Sequence, residues 1–243
     1  MSSTTIVVPC YNEERRLNLD AFRAYVAEGH EDRFLFVNDG SKDGTLAVLE
    51  GLAAEDPQRY AVLDVQPNGG KAEAVRKGML QAFAEAPTYA GYWDADLATP
   101  LHAIPRFREQ LTGGVEMVFG SRVRLLGRSI ERQALRHYLG RFGATMASLV
   151  LGIPIYDTQC GAKLFRVDAE TRALFADPFI AGWMFDVEIL ARFIKGRGGE
   201  GVTDAIYELP LTEWHDVAGS KVKPSDFPKA FFELASIYLK YRT

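Results

Sequence analysis

Four short apolar runs, Thr4 to Val8, Phe34 to Val37, Ala61 to Val65 and Gly91 to Trp93, each stop at a polar cluster and are separated by stretches of helical spacing. Such runs are too short for helices and rich in β-branched or aromatic residues, so they read as strands covered on both faces. Strand and helix in regular alternation predict parallel βαβ units: an α/β domain with a mostly parallel central sheet flanked by helices. The first helix is expected after Tyr11-Asn12-Glu13-Glu14. The second follows the turn Asp39 to Gly44 with Leu46, Leu49 and Leu52 on one face, and the third covers Lys71 to Ala86. Beyond residue 120 a long helical stretch leads into a mixed region and an amphipathic segment, Pro224 to Arg242. The expectation is one domain, residues 1–243, whose first 120 residues serve a nucleotide and whose remainder serves an acceptor.

At 243 residues and 47% hydrophobic content the chain can bury one large core. A net charge of -4 gives no reason to expect nucleic acid as a partner. Two distant cysteines, Cys10 and Cys160, form neither a disulfide framework nor a four-ligand zinc site. The N-terminal residues do not read as a signal peptide, and the longest apolar stretch, Met146 to Ile155, is about half of what a bilayer requires. The expected location is cytoplasmic, with room for peripheral contact at the cytoplasmic face of a membrane.

In open parallel sheets ligands bind beyond the carboxyl ends of the strands, so the polar clusters there carry the functional argument. Asp94 and Asp96 alternate about the small Ala95 at the end of the fourth strand, which lets two carboxylates reach one hard cation, Mg2+ or Mn2+. Such an ion neutralises charge on a departing diphosphate. Solvated turn carboxylates would look the same in isolation; the position after an apolar strand favours the metal reading. Asp39 sits in a tight Asp-Gly turn where it can accept hydrogen bonds from a ribose or base, or act as an Asx turn while Ser41 or Asp43 caps the helix. Lys71 follows Gly69-Gly70 at a helix start, a setting for phosphate, although the spacing is not that of a P-loop.

In the second half, Arg122, Arg124, Arg128, Arg132, Arg136 and Arg141 form a local basic patch, with Glu131 the one acid among them. Tyr138, Phe142, Met146, Leu149 and Val150 beside it offer apolar contact, which suits a phosphorylated acceptor or anionic lipid headgroups; an ordinary surface helix is the competing reading. The loop Asp157 to Lys163 places an acid, an amide and a base around Gly161. Cys160 within it reads as a small buried thiol, and His30, His102, His137 and His215 lack ligand spacing. Phe231, Phe232, Leu234, Ile237 and Leu239 in the last segment suit either core packing or a surface contact.

The segments VPCYNEE, VNDGSKDGT, NGGKAEAVRKGM, WDADLATP, GSRV, DTQCGAKLF, WMFDVEIL and EWHDVAGSK occur in an order that resembles family 2 glycosyltransferases across nearly the whole chain. More narrowly the chain resembles the branch of dolichyl-phosphate glucosyltransferases and related polyprenyl-phosphate enzymes. The resemblance implies a GT-A (Rossmann-like) fold in which Pro9, Tyr11, Glu13, Asp39, Gly70 and Lys71 hold the nucleotide sugar. Asp94, Ala95 and Asp96 would hold the diphosphate and metal, with Arg122, Gln159, Lys163, Ser220 and Lys221 around the acceptor or donor phosphates. Asn38 and Ala162 depart from the usual residues, aspartate and phenylalanine, without removing a metal ligand. The implied reaction is inverting transfer of glucose from UDP-glucose to a polyprenyl or dolichyl phosphate. Two alternatives remain: a soluble hydroxyl acceptor, for which Asp157, Asp186 or Glu188 would be the base, and a sugar-nucleotide-binding protein without catalysis.

Overall fold

A computed structural model describes residues 3–123, 126, 127, 129, 130, 134–215 and 226–242, with the side chains of 134–142, 226 and 227 outside that description. In chain order the elements are β1 (Thr4–Cys10), α1 (Leu19–Ala27), β2 (Arg33–Asp39), α2 (Thr45–Glu55), β3 (Tyr60–Val65), α3 (Lys71–Ala84) and β4 (Tyr89–Trp93). There follow α4 (Ile104–Gln110), β5 (Met117–Ser121), β6 (Ser129–Ile130), α5 (Ala134–Leu151), β7 (Ala162–Arg166) and α6 (Ala169–Ala176). The chain closes with α7 (Phe185–Gly196), α8 (Val202–Ala205), β8 (Ile206–Pro210), β9 (Glu213–Trp214) and α9 (Asp226–Tyr241).

Seven strands form one sheet in the order β3-β2-β1-β4-β7-β5-β8. The pairs β1–β2, β2–β3, β1–β4 and β5–β8 are parallel, as the βαβ rhythm predicts. The second half departs from that rhythm, because β7 enters between β4 and β5 and runs antiparallel to both. Strands from both halves of the chain are thus hydrogen-bonded into one sheet. β6 and β9 pair separately.

Alternation along β1 explains the layers: Ile6, Val8 and Cys10 enter one core and Val7 the other. Phe22 on α1 packs edge-on against Phe34 and Phe36 of β2, filling the first core. On the opposite face α3 lies very close to the sheet. A Cβ on Gly78 would stand 2.4 Å from Val7, so only glycine admits this approach. Asn18 and Asp168 cap α1 and α6 by accepting from Ala21 and Thr171 backbone N–H groups. Among the described residues no helix is long and apolar enough to cross a membrane.

Gly91 is where β4 and β7 meet most tightly, since a Cβ there would lie 2.1 Å from the Lys163 carbonyl oxygen. Gly91→Ala forces the two strands apart and is expected to lower unfolding free energy by about 1–3 kcal/mol in urea titrations.

Candidate active site

Two loops beyond β1 and β2 are bound to each other. Asn12, at a left-handed φ of 52°, donates from its backbone to Ser41 Oγ (3.0 Å) and accepts from the Lys42 backbone N–H (2.8 Å). The Glu13 backbone N–H donates to Thr45 Oγ1 at 2.8 Å. Pro9 and Tyr11 are half-buried at this junction, and Glu13 is buried beside Arg16. Asp43 accepts from the Thr45 backbone N–H in a local Asx-type contact, while the cap position of α2 falls on Gly44 and no side chain caps it.

Asp39 ends β2 and its carboxylate accepts from Asn68 Nδ2 (2.9 Å) and from the backbone N–H groups of Gly69 and Gly70 (2.8 Å each). Asp39 is therefore not the local Asx turn weighed from the sequence: its carboxylate fixes the more distant turn that opens α3. Gly70, at φ 84°, precedes α3, and no side chain caps that helix. Its first N–H groups are left available to an anion, as at other helix N-termini.

Lys71, the first residue of α3, reaches Asp94 Oδ1 at 2.5 Å. The negative charges of Asp94, Asp186 and Asp96 hold its ammonium above the ordinary lysine range. Asp94 sits where β4 ends, its backbone N–H donating to the Gly161 carbonyl (2.9 Å), and its carboxylate lies against Gly161 so closely that a Cβ would be 1.9 Å from Oδ2. The glycine of the DTQCGAK loop thus makes room for this carboxylate. Ala95 is buried, and Asp96 accepts from the Ala98 backbone at 3.1 Å. Burial and the charge of Asp94 push the Asp96 carboxyl above its ordinary range.

Two carboxylates strained in this way fit a hard divalent cation. The donors are all oxygen, and a cation would relieve the repulsion that raises Asp96. Among the described residues no group of three or more Asp, Glu, His or Cys side chains could hold such an ion, so Asp94 and Asp96 would share it with oxygens from elsewhere.

The acceptor side differs from expectation. Arg122, just after β5, binds Asp157 through Nε (2.6 Å), Nη2 (2.7 Å) and its own backbone N–H, and lies 5.4 Å over the Trp214 ring. Burial would lower its guanidinium, yet Asp157 holds it higher still. Lys163 does not face a phosphate. It is completely buried, its Nζ 2.6 Å from Asp186 Oδ1 and 2.6 Å from the Cys160 carbonyl oxygen, between the rings of Tyr92 and Phe119. Its strand β7, between β4 and β5, is covered on both faces so that Ala162 to Phe165 are all buried, a topology that the spacing did not reveal.

The three carboxylates considered as bases are all engaged. Asp157 holds Arg122; Asp186 accepts from Lys163 and from the Tyr92 hydroxyl (2.5 Å). Glu188 is fully buried and accepts from the Ile180 and Ala181 backbones, Arg192 and the Tyr241 hydroxyl. Cys160 is buried and its thiol is pushed up by burial, as expected of an inert thiol. Gln159 Nε2, and Ser121 Oγ of a residue the sequence did not single out, are each buried without a hydrogen-bond partner among the described residues. Ser220 and Lys221, together with Arg124, Arg128 and Arg132, lie outside the described residues, as do the side chains of Arg136, Tyr138, Arg141 and Phe142.

Residues 5–172 match the family model of glycosyl transferase family 2. A dolichyl-phosphate beta-glucosyltransferase of Trichomonas vaginalis is 33% identical over 254 residues, covering 98% of this chain and 72% of that protein. The human dolichyl-phosphate beta-glucosyltransferase is 30% identical over 242 residues, 90% of this chain and 69% of its own. Among solved structures, glucosyl-3-phosphoglycerate synthase from Mycobacterium tuberculosis, in complex with Mn2+, UDP-glucose and phosphoglyceric acid, superposes with a TM-score of 0.67 at 19% identity. The match covers 99% of this chain and 79% of that one.

Removing one member of the buried pair leaves the other charge without a partner. Lys163→Met is expected to lose about 3–5 kcal/mol of unfolding free energy, measured by urea denaturation. Asp96 carries the opposite sign: its folded carboxyl binds a proton more tightly than the unfolded one, so stability falls as pH rises from the ordinary carboxylate range through the raised value. In metal-free buffer Asp96→Asn should melt above the parent at neutral pH, and the margin should close as pH drops below that range.

Proposed function

The chain belongs to glycosyl transferase family 2, and from that premise we propose that it transfers glucose from UDP-glucose, with inversion, to a polyprenyl or dolichyl phosphate. The relatives that are dolichyl-phosphate beta-glucosyltransferases support the sugar and acceptor, and the loops after β1, β2 and β3 suit a nucleotide. The observation that carries the acceptor reading is the state of the three carboxylates. A hydroxyl acceptor needs a carboxylate able to take its proton, whereas Asp157, Asp186 and Glu188 are each committed to a cation or to backbone donors. A phosphate monoester is already an oxyanion near neutral pH and needs no base.

On this reading the acceptor oxygen attacks the anomeric carbon from the face opposite the diphosphate. Lys71 and the uncapped first turn of α3 accept the developing negative charge. Asp94 and Asp96 would hold Mg2+ or Mn2+, which when bound supplies charge neutralisation to the leaving diphosphate. Asp39 keeps the Gly69-Gly70 turn in the shape that presents Lys71. Gln159 Nε2 and Ser121 Oγ offer buried hydrogen-bond donors beside Arg122 for a phosphate oxygen. The lipid acceptor implies work at the cytoplasmic face of a membrane.

The test is UDP release from UDP-glucose with a short-chain polyprenyl phosphate. Turnover should require the lipid phosphate, stop with chelator and return with Mn2+ or Mg2+. It should rise with pH through about 6, where a phosphate monoester loses its second proton. Asp94→Ala should lower kcat about 100-fold or more. Turnover with simple alcohols that depends on Asp157 or Asp186 would establish a hydroxyl acceptor instead.

A further inference from the structure

Helix α9 has two apolar faces, and the core uses one. Ala230, Leu234 and Ile237 are buried, while Phe231 is 58% exposed, Phe232 70% and Leu239 67%. At about 100° per residue, Tyr238, Phe231, Ala235, Leu239 and Phe232 form one outward arc of about 120°. Lys229 and Lys240 lie on the exposed side beyond the Phe232 edge of that arc, and Arg242, just past the helix end, stands 5.9 Å over the Tyr238 ring at its other edge. Among the described side chains of α9 the one acid is Glu233, which is turned inward and accepts from the Trp183 and Met184 backbones. The outward surface therefore combines exposed aromatic rings with Lys240 and Arg242, while the one acid among the described side chains of the helix, Glu233, pairs with Lys229 at 3.8 Å.

We propose that this outward face of α9 docks the protein on an anionic lipid bilayer, lying flat with Phe231, Phe232 and Leu239 in the headgroup–acyl boundary. This deepens the lipid-phosphate reading above and rests on it for its purpose, though not for its evidence. Charge decides between occupants. A second copy meeting this face through a two-fold axis would oppose Lys and Arg to Lys and Arg, whereas anionic headgroups complement them. The length fits an interfacial role, since 16 residues cover about 24 Å. No described helix offers a transmembrane route to the same lipid.

The position of α9 also suits delivery of a lipid-borne phosphate. Glu233, flanked in sequence by Phe232, binds the backbone just before α7, and Asp186 in the first turn of α7 lies close enough to Lys71 to raise its proton affinity. A bilayer against α9 would thus lie beside the element that backs the charged site.

The test compares the parent, Phe231→Ser/Phe232→Ser and Lys240→Glu/Arg242→Glu in co-sedimentation with phosphatidylcholine vesicles, with and without phosphatidylglycerol. All altered side chains are solvent-exposed, and circular dichroism verifies folding. The parent should bind the anionic vesicles with an affinity that salt weakens, and each double variant should lose about tenfold or more. Transfer to a short, water-soluble polyprenyl phosphate should be unchanged in the variants, while transfer to a long-chain polyprenyl phosphate in vesicles should fall with binding. Vesicle binding equal in parent and variants, or absent in the parent, overturns the proposal, as does a dimer that the variants dissolve in place of vesicle binding. If binding follows the expected pattern but no acceptor supports turnover, the docking surface stands and the acceptor assignment fails.

Discussion

The buried ion pair of Lys163 with Asp186, to which Tyr92 of β4 donates, is the contact around which the rest of the site is arranged. Lys163 comes from β7, the strand that enters the sheet against the parallel rhythm, and Asp186 comes from the first turn of α7. Tyr92 on β4 donates to the same carboxylate, and the Cys160 carbonyl accepts from the same ammonium. Neither charge could be held there alone: desolvating an ion without a partner costs several kcal/mol, and here the remaining valences are met by a hydroxyl and a carbonyl. The pair consequently fixes β7 in register beside β4, which in turn brings Gly161 under Asp94.

From that pair the charges alternate outward: Lys163 to Asp186, Asp186 toward Lys71, Lys71 to Asp94, and Asp94 beside Asp96. The alternation ends at Asp94, because Asp96 beside it carries the same sign. The raised Asp96 carboxyl records that imbalance at the point where the sheet opens to solvent. A site built this way is stiff at its base and electrostatically unfinished at its mouth, which is the arrangement that favours binding a cation together with an anion.

Much of this architecture was legible in the sequence because it is local. The strand-end clusters at Pro9, Asp39, Gly70 and Asp94 follow from period and punctuation, and β1, β2, β3 and β4 fall where the apolar runs placed them, lengthened by one to three residues. The amphipathic segment expected over 224–242 is α9, over 226–241. The second half was less readable, since its order is set by long-range pairing. Nothing in the spacing of Ala162 to Arg166 tells that this strand lies antiparallel between β4 and β5, and so nothing told that Lys163 would point into the core. Asp186 and Glu188 look like a solvated pair at a helix start, yet both are buried, because α7 is covered on nearly all sides by α5, α6 and α9. Ser121 and Gln159 carry no signal of their own beyond motif membership; burial without a partner is a property of the fold.

The commitment of buried carboxylates bears on what kind of nucleophile the fold can use. Activating a hydroxyl requires a carboxylate that is ionised, reachable and not already neutralised, and freeing Asp157 or Asp186 for that task would strand Arg122 or Lys163 in the interior. The energetic penalty for stranding either cation is comparable to the stability of a small domain's weaker elements. A nucleophile that arrives already charged avoids this conflict, since it needs cations and hydrogen-bond donors to receive it and no base. Glu188 of α7 and Glu233 of α9 show the same commitment, since both accept from backbone N–H groups and each also meets a cation, Arg192 or Lys229.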